Sequence, residues 1–174
     1  LWFVSPAVAM LVSRSAETED RLHISPQDTV RLRMIARRTW AYFEEFATAE
    51  HNHLPPDNFQ ETPNPVVAAR TSPTNIGVYL LSVVSARDFG WIGLSTAIGR
   101  LEATMTTIEG MRRYRGHLHN WYETRTLNPL HPFYISAVDS GNLAGHLVAV
   151  AAACSEWAEA PSVHIQGDFN GILD

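Results

Sequence analysis

The stretch SPTNIGVYLLSVVSARDFG, residues 72–90, decides the fold. Ser72 is a good N-cap, and Pro73 suits the first helical position, where its missing N–H costs nothing. Ile76, Tyr79, Leu80, Val83 and Val84 then recur at three- and four-residue spacing, which predicts one buried helical face ending near Gly90. The same signal stands upstream. Ser25 and Pro26 open a helix with Asp28 in its first turn, and Leu32, Ile35, Ala36, Thr39, Phe43, Phe46 and Ala47 form its expected inner face to about Thr48. Downstream, a third helix is expected from about Ser95 to Tyr114, with Ile98, Leu101, Met105, Ile108 and Met111 on one stripe and Gly116 as its stop. Residues 117–135 read as loop or a short hairpin. A last helix covers about 140–158, and its run Leu143 to Cys154 is apolar almost all round, which predicts burial in a helical layer. No stretch is strand-rich and no Gly-rich βα turn occurs, so the expected class is all-α. Helices joined by long polar loops suit a toroid of helical hairpins whose loops line a pocket at one end.

Composition narrows the function. The chain has 174 residues, 45% of them apolar, enough for one domain with a real core. A net charge of −5 gives no basic footprint for nucleic acid. The single Cys154 excludes an intrachain disulfide and a cysteine metal cage, and among alanines it reads as a small buried hydrophobe. The H-x-H pairs His51/His53 and His117/His119 lack a third ligand at a useful spacing, so no metal is expected. Arg112, Arg113 and Arg115 sit where a helix C-terminus favours cations.

The chain ends carry expectations of their own. Leu1 to Val12 (LWFVSPAVAMLV) reads either as the end of a transmembrane helix or as a segment packed on the domain. The expected organisation is therefore 1–14 as the end of such a helix, 15–24 as a charged linker, and 25–174 as the N-terminal part of a helical domain. Starting at Leu1 and stopping after HIQGDFNGILD, the sequence reads as a fragment of a longer protein.

Four polar segments lie between the helices: LPPDNFQE (Leu54 to Glu61), RTSPTNIG (Arg70 to Gly77), HNWYETRTLNPL (His119 to Leu130) and SAVDSGNLAGH (Ser136 to His146). Amides, hydroxyls, carboxylates and rings crowd into each. Sugars present hydroxyls to planar amides and carboxylates, and flat C–H faces to aromatic rings, so the mixture points to a polyhydroxylated ligand. In the first segment Asp57, Asn58, Gln60 and Glu61 either bind hydroxyls or form an Asx-turn. In the second, Arg70, Thr71 and Asn75 are candidate ligand contacts, while capping explains Ser72 and Pro73. In the third, Asn120 is a candidate, Trp121 and Tyr122 are stacking platforms or core rings, and Glu123 with Arg125 reads as a surface pair. In the fourth, Asp139, Ser140 and Asn142 either cap the last helix or bind hydroxyls at its N-terminus. Glycoside chemistry needs two flanking carboxylates. Asp57, Glu61, Glu123 and Asp139 are available, and Glu61 with Asp139 is the candidate catalytic pair.

LRMIARRTWAYFEEF, LPPDNFQE, RTSPTNIGVYLLS, ARDFGWI, GHLHNWYETRTLNPL and VDSGNLAGHL, in this order and spacing, resemble the central region of cyclic β-1,2-glucan synthases. The resemblance covers about Leu32 to Ala153. It implies a glucoamylase-like (α/α)6 toroid, of which this chain would be about half. The implied activity is cyclisation of linear β-1,2-glucan by intramolecular transglycosylation. It implies no cofactor for this domain. The implied partners are the glucan and other domains of the same polypeptide, a UDP-glucose-dependent transferase region and a phosphorylase-like region. A preceding helix would hold the protein in the bacterial inner membrane, with this domain on the cytoplasmic side. The alternative is a non-catalytic module that binds the glucan and measures its length.

Overall fold

A computed structural model describes residues 24–159, together with positions 4, 5, 8 and 10. The readings for 1–14, most of 15–24 and 160–174 therefore lie outside the described residues. The chain divides into two units, Leu1–Leu32 and Arg33–Asp174. In the first, Ser25 Oγ accepts the Asp28 N–H at 3.1 Å and donates to its carboxylate at 2.8 Å, the expected cap.

Within residues 24–159 lie four helices: α1 (Pro26–Phe46), α2 (Pro73–Asp88), α3 (Leu94–Gly110) and α4 (Ala137–Glu159). Six two-residue strands pair antiparallel as three ribbons. β1 (Phe59–Gln60) meets β2 (Val66–Val67), β3 (Arg70–Thr71) meets β6 (Tyr122–Glu123), and β4 (Arg113–Tyr114) meets β5 (His117–Leu118). Such strands are too short to leave a period-2 pattern, which is why an all-α reading passed over them.

The Arg33–Asp174 unit builds its core on α2. Ile76, Tyr79, Leu80, Val83 and Val84 are all buried, as their spacing requires. Each such aliphatic side chain contributes roughly 1.5–3 kcal/mol. Ser72 Oγ caps the helix by accepting the Asn75 N–H at 3.2 Å, with Pro73 behind it. Phe43 of α1 lies against Tyr79, ring centroids 5.3 Å apart. α4 comes close to α2 at Gly77, where an added Cβ would stand 2.5 Å from His146 Nδ1.

Several expected core positions face solvent instead. Leu32, Ile35 and Ile98 are exposed, while Trp40 and Ala97 are buried in their place. The buried residues of α1 are Trp40 and Phe43, both in its C-terminal half, so the expected apolar stripe is longer than the buried face. α3 stops at Gly110 because Met111 turns extended (φ −70°, ψ 138°), and Arg113 Nη2 then donates to the Ile108 carbonyl at 3.1 Å. Gly116 does not stop the helix. Arg115 (φ 50°) and Gly116 (φ 87°) form the two-residue turn between β4 and β5, a type I′ geometry that demands positive φ at both positions. The largest departure is α4. Of its apolar residues only Leu143 and Val150 are fully buried, Val148 is 72% exposed, and Cys154 is exposed rather than buried.

Candidate functional site

Two anchors hold the third polar segment, one against the second segment and one against the turn that leads into the first. The β3–β6 ladder sets Arg70 opposite Glu123 and Thr71 opposite Tyr122. The second anchor is a left-handed pair, Asn52 (φ 51°) and His53 (φ 58°). Asn52 Nδ2 donates to the carbonyls of Thr124 and Arg125, both at 2.8 Å, and His51 Nδ1 meets Thr124 Oγ1 at 2.6 Å. Thr104 and Thr107 of α3 donate to the carbonyls of His53 and Asn52 at 2.9 and 2.7 Å. The strained turn is thus held from both sides. Burial, with the Arg125 charge adding to it, lowers the His51 pKa.

Six candidate residues then close into a ring of contacts around the N-terminal turn of α2. Asp57 Oδ2 accepts Arg70 Nε at 3.1 Å and Nη2 at 2.9 Å, and its Oδ1 accepts Asn75 Nδ2 at 3.2 Å. The Arg70 guanidinium lies over the Trp121 ring, 5.1 Å from its centroid. Beside Asn75, Thr74 Oγ1 donates to Asp139 Oδ1 at 2.7 Å. The Asn120 amide has one orientation that satisfies every neighbour. Its nitrogen donates to Asp139 Oδ2 at 2.9 Å, and its oxygen accepts from Tyr134 Oη at 2.6 Å and Trp121 Nε1 at 3.0 Å. Asp57, Arg70, Trp121, Asn120, Asp139 and Asn75 are thereby joined through protein contacts alone, with Thr74 as the closing link. Asn142 Nδ2 reaches Thr74 Oγ1 at 3.2 Å.

A cavity of about 360 Å³ opens beside this ring, lined by Arg70, Trp121, Leu130, His131, Pro132 and Tyr134. That size lies within the range of small-ligand clefts. It offers ring faces, a guanidinium and a phenol. Beneath the first segment, burial and the nearby Asp57 charge push the Tyr42 hydroxyl up to about 12, and it donates to the Pro56 carbonyl at 2.9 Å.

Other candidates fall elsewhere. Tyr122 is fully buried, its hydroxyl donating to the Arg112 carbonyl at 2.6 Å and accepting the His119 N–H at 2.8 Å, so it is a core ring and no stacking platform. Thr71 is also fully buried, in the ladder opposite Tyr122, out of reach of a ligand in the cavity. Asn58 donates to Asp57 Oδ2 at 3.0 Å, and Gln60 donates to the Thr62 carbonyl at 2.8 Å. Glu61 is exposed between β1 and β2 and makes no hydrogen bond to the ring. Ser140 sits in the first turn of α4, whose cap is Ser136: its Oγ accepts the Asp139 N–H at 3.1 Å. Glu123 and Arg125 do not pair as side chains on the surface. The Glu123 carboxylate accepts the Arg125 and Thr126 N–H groups at 3.1 and 2.6 Å, while Arg125 Nη2 meets Glu50 at 3.0 Å. Burial would raise the Glu123 pKa, but those hydrogen bonds and the Arg125 charge outweigh it and hold it low.

Thr74, His131 and Tyr134 belong to the site without having been singled out. Thr74 lies within a quoted segment, between the capping Ser72–Pro73 and Asn75, and no local pattern marks it. Tyr134 and His131 follow the third segment, and only the fold shows that the chain turns back there.

No protein-family model matches the chain. Its fold is glucoamylase-like. It is similar, at a TM-score of 0.64 and 19% identity, to a crystal structure from Bacteroides fragilis NCTC 9343 that carries a provisional glucoamylase assignment. The match covers 81% of this chain and 34% of that one. In sequence the chain is 66% identical over all 174 residues to cyclic beta-(1,2)-glucan synthase NdvB of Rhizobium meliloti (strain 1021), and it spans 6% of that protein's length. The resemblance read from the motifs is borne out.

Proposed function

We propose that the chain is part of a membrane-bound cyclic β-1,2-glucan synthase, the N-terminal part of an (α/α)6 toroid that binds linear β-1,2-glucan and closes it into a ring. The ring of contacts carries this reading. It fixes Trp121 and Arg70 on the wall of a sugar-sized cavity and bonds Asp57 and Asp139 to that wall through Arg70 and Asn120, and the similarity to the Rhizobium meliloti protein supplies the glucan. Helix α4 is, among the described residues, long and apolar enough to cross a membrane by length and composition. Its Asp139, Asn142 and His146 engage α2, so we assign it to the sugar domain. The membrane anchor would be a preceding helix, in the bacterial inner membrane, with this domain on the cytoplasmic side. The transferase and phosphorylase-like regions would be partners in the same polypeptide, and this domain would need no cofactor.

The chemistry is an exchange of glycosidic bonds. A hydroxyl of the chain attacks an anomeric carbon of the same chain, its proton passing to a base. The displaced end leaves with a proton from an acid. Asp139, whose oxygens accept from Thr74 and Asn120, suits a fixed anionic role. Glu61, the other carboxylate of the proposed pair, is left for the acid. A second reading has its own support. Asp57 and Asp139 both spend their oxygens on protein donors, as carboxylates shaping a binding surface do, which favours a glucan-holding module. Incubating the complete polypeptide with linear β-1,2-glucan separates the two by mass spectrometry. Cyclic products, each lighter than its linear counterpart by one water, support cyclisation. Saturable binding without conversion supports the module, and neither result overturns both.

A further inference from the structure

Asn120 holds an unusual place for a residue expected to bind sugar. It is 6% exposed, so a ligand in the cavity meets little of it. Its amide is engaged by the protein on both sides. The nitrogen serves Asp139, and the oxygen serves both aromatic residues of the cavity wall, Trp121 and Tyr134. Its backbone is fixed too, the N–H donating to the Tyr134 carbonyl at 3.0 Å. We propose that Asn120 is a positioning residue: it ties the cavity wall to the Asp139 carboxylate, so that a glucosyl ring seated on Trp121 and Tyr134 sets where that carboxylate lies. This rests on the glucan reading above, and one arm of its test does not.

An amide is the side chain that can do this, because it donates on one side and accepts on the other. Asn120→Asp keeps the shape and the acceptor for Trp121 and Tyr134, but sets a carboxylate against Asp139 Oδ2. Two carboxylates at that distance cannot both ionise without cost, and the pair relaxes when it shares one proton. The other titratable or charged groups on the surrounding elements are Tyr134 and His131 before α4, Asp57 and Arg70 around β1–β3, His119 beside Asn120, and His146 along α4. Of these, Asp139 alone is a carboxylate bonded to Asn120.

The test compares wild type with Asn120→Asp and Asn120→Ala in the complete polypeptide. At neutral pH, Asn120→Asp should lower affinity for linear β-1,2-glucan about tenfold or more, and the loss should shrink as pH falls and the pair gains its proton. Asn120→Ala should lose binding at every pH alike. A loss in Asn120→Asp that does not vary with pH would overturn the proposal, as would undiminished binding. The independent arm is thermal unfolding without glucan. The shared proton raises one folded-state pKa, so the Asn120→Asp stability deficit should be present at neutral pH and fade on acidification. A deficit that fades while wild type itself binds no β-1,2-glucan would sink the glucan reading and leave the Asn120–Asp139 tie standing. A deficit that does not change with pH overturns the tie itself.

Discussion

Helices α2 and α4 lie along each other and are both rich in apolar residues, yet they end in opposite conditions. α2 buries Ile76, Tyr79, Leu80, Val83 and Val84, whereas α4 leaves Val138 and Val148 each 72% exposed. Hydropathy states how much cover a helix wants, and says nothing of whether the same stretch of chain supplies it. α2 is covered by α1, α3 and α4 from the residues present. α4 turns one face to the core, with Leu143 and Val150 buried and Leu147, Ala153 and Trp157 packed beside them, while Asp139, Asn142 and His146 meet the start of α2; the opposite apolar face is left open.

The sharpest test of the contrast is truncation on each helix. Leu80→Ala should cost about 2–5 kcal/mol in urea unfolding, because it empties a fully enclosed position. The contact between the helices comes next. Gly77→Ala should cost about 1–3 kcal/mol by forcing a methyl group into His146, and Gly77→Ala with His146→Ala should recover part of that. If the double variant recovers nothing, the helices do not meet there.

Acid should act through the loops and not through either helix. The His51 pKa is lowered from 6.5 by burial, so its contribution to stability is present above that value and lost as pH falls below it. The Glu123 carboxylate is also held low, so its contribution is present above the ordinary carboxylate range and is lost at still lower pH. Stability should therefore fall in two steps on acidification. Glu123→Gln should remove the lower step and leave the upper one, read by melting temperature against pH. The smallest effect closes the comparison: Val148→Ala should change stability by no more than about 0.5 kcal/mol. A loss approaching that of Leu80→Ala would mean that α4 is covered in solution.

The same contrast shows what was legible in the sequence. Caps and spacing located α2 well, because Ser72, Pro73 and an inward stripe all agree there. They overran α1 and α3, where Leu32, Ile35 and Ile98 follow the helical period but stay exposed among the described residues. At the candidate site, residue types picked out segments that the fold brings together. Asp57, Arg70, Asn75, Asn120, Trp121, Asp139 and Asn142 all join one network. They could not separate Trp121 from Tyr122, since neighbours in an extended strand point to opposite faces and only the ladder with β3 says which face is inside. Tyr134 was invisible for a related reason: it enters the site through a chain reversal that no local pattern marks.

The β3–β6 ladder also sets a timetable. Arg70 and Thr71 are made well before Tyr122 and Glu123, with all of α2 and α3 in between, and Asp139 follows later still. A nascent chain can fold α2 and α3 from local contacts, but it cannot close the ladder until Tyr122 and Glu123 have emerged, nor seat Asp139 on Thr74 until the start of α4 has. The ring of contacts is therefore among the last parts of this region to form during synthesis, and a chain stalled before Asp139 would carry most of these helices and none of the completed network.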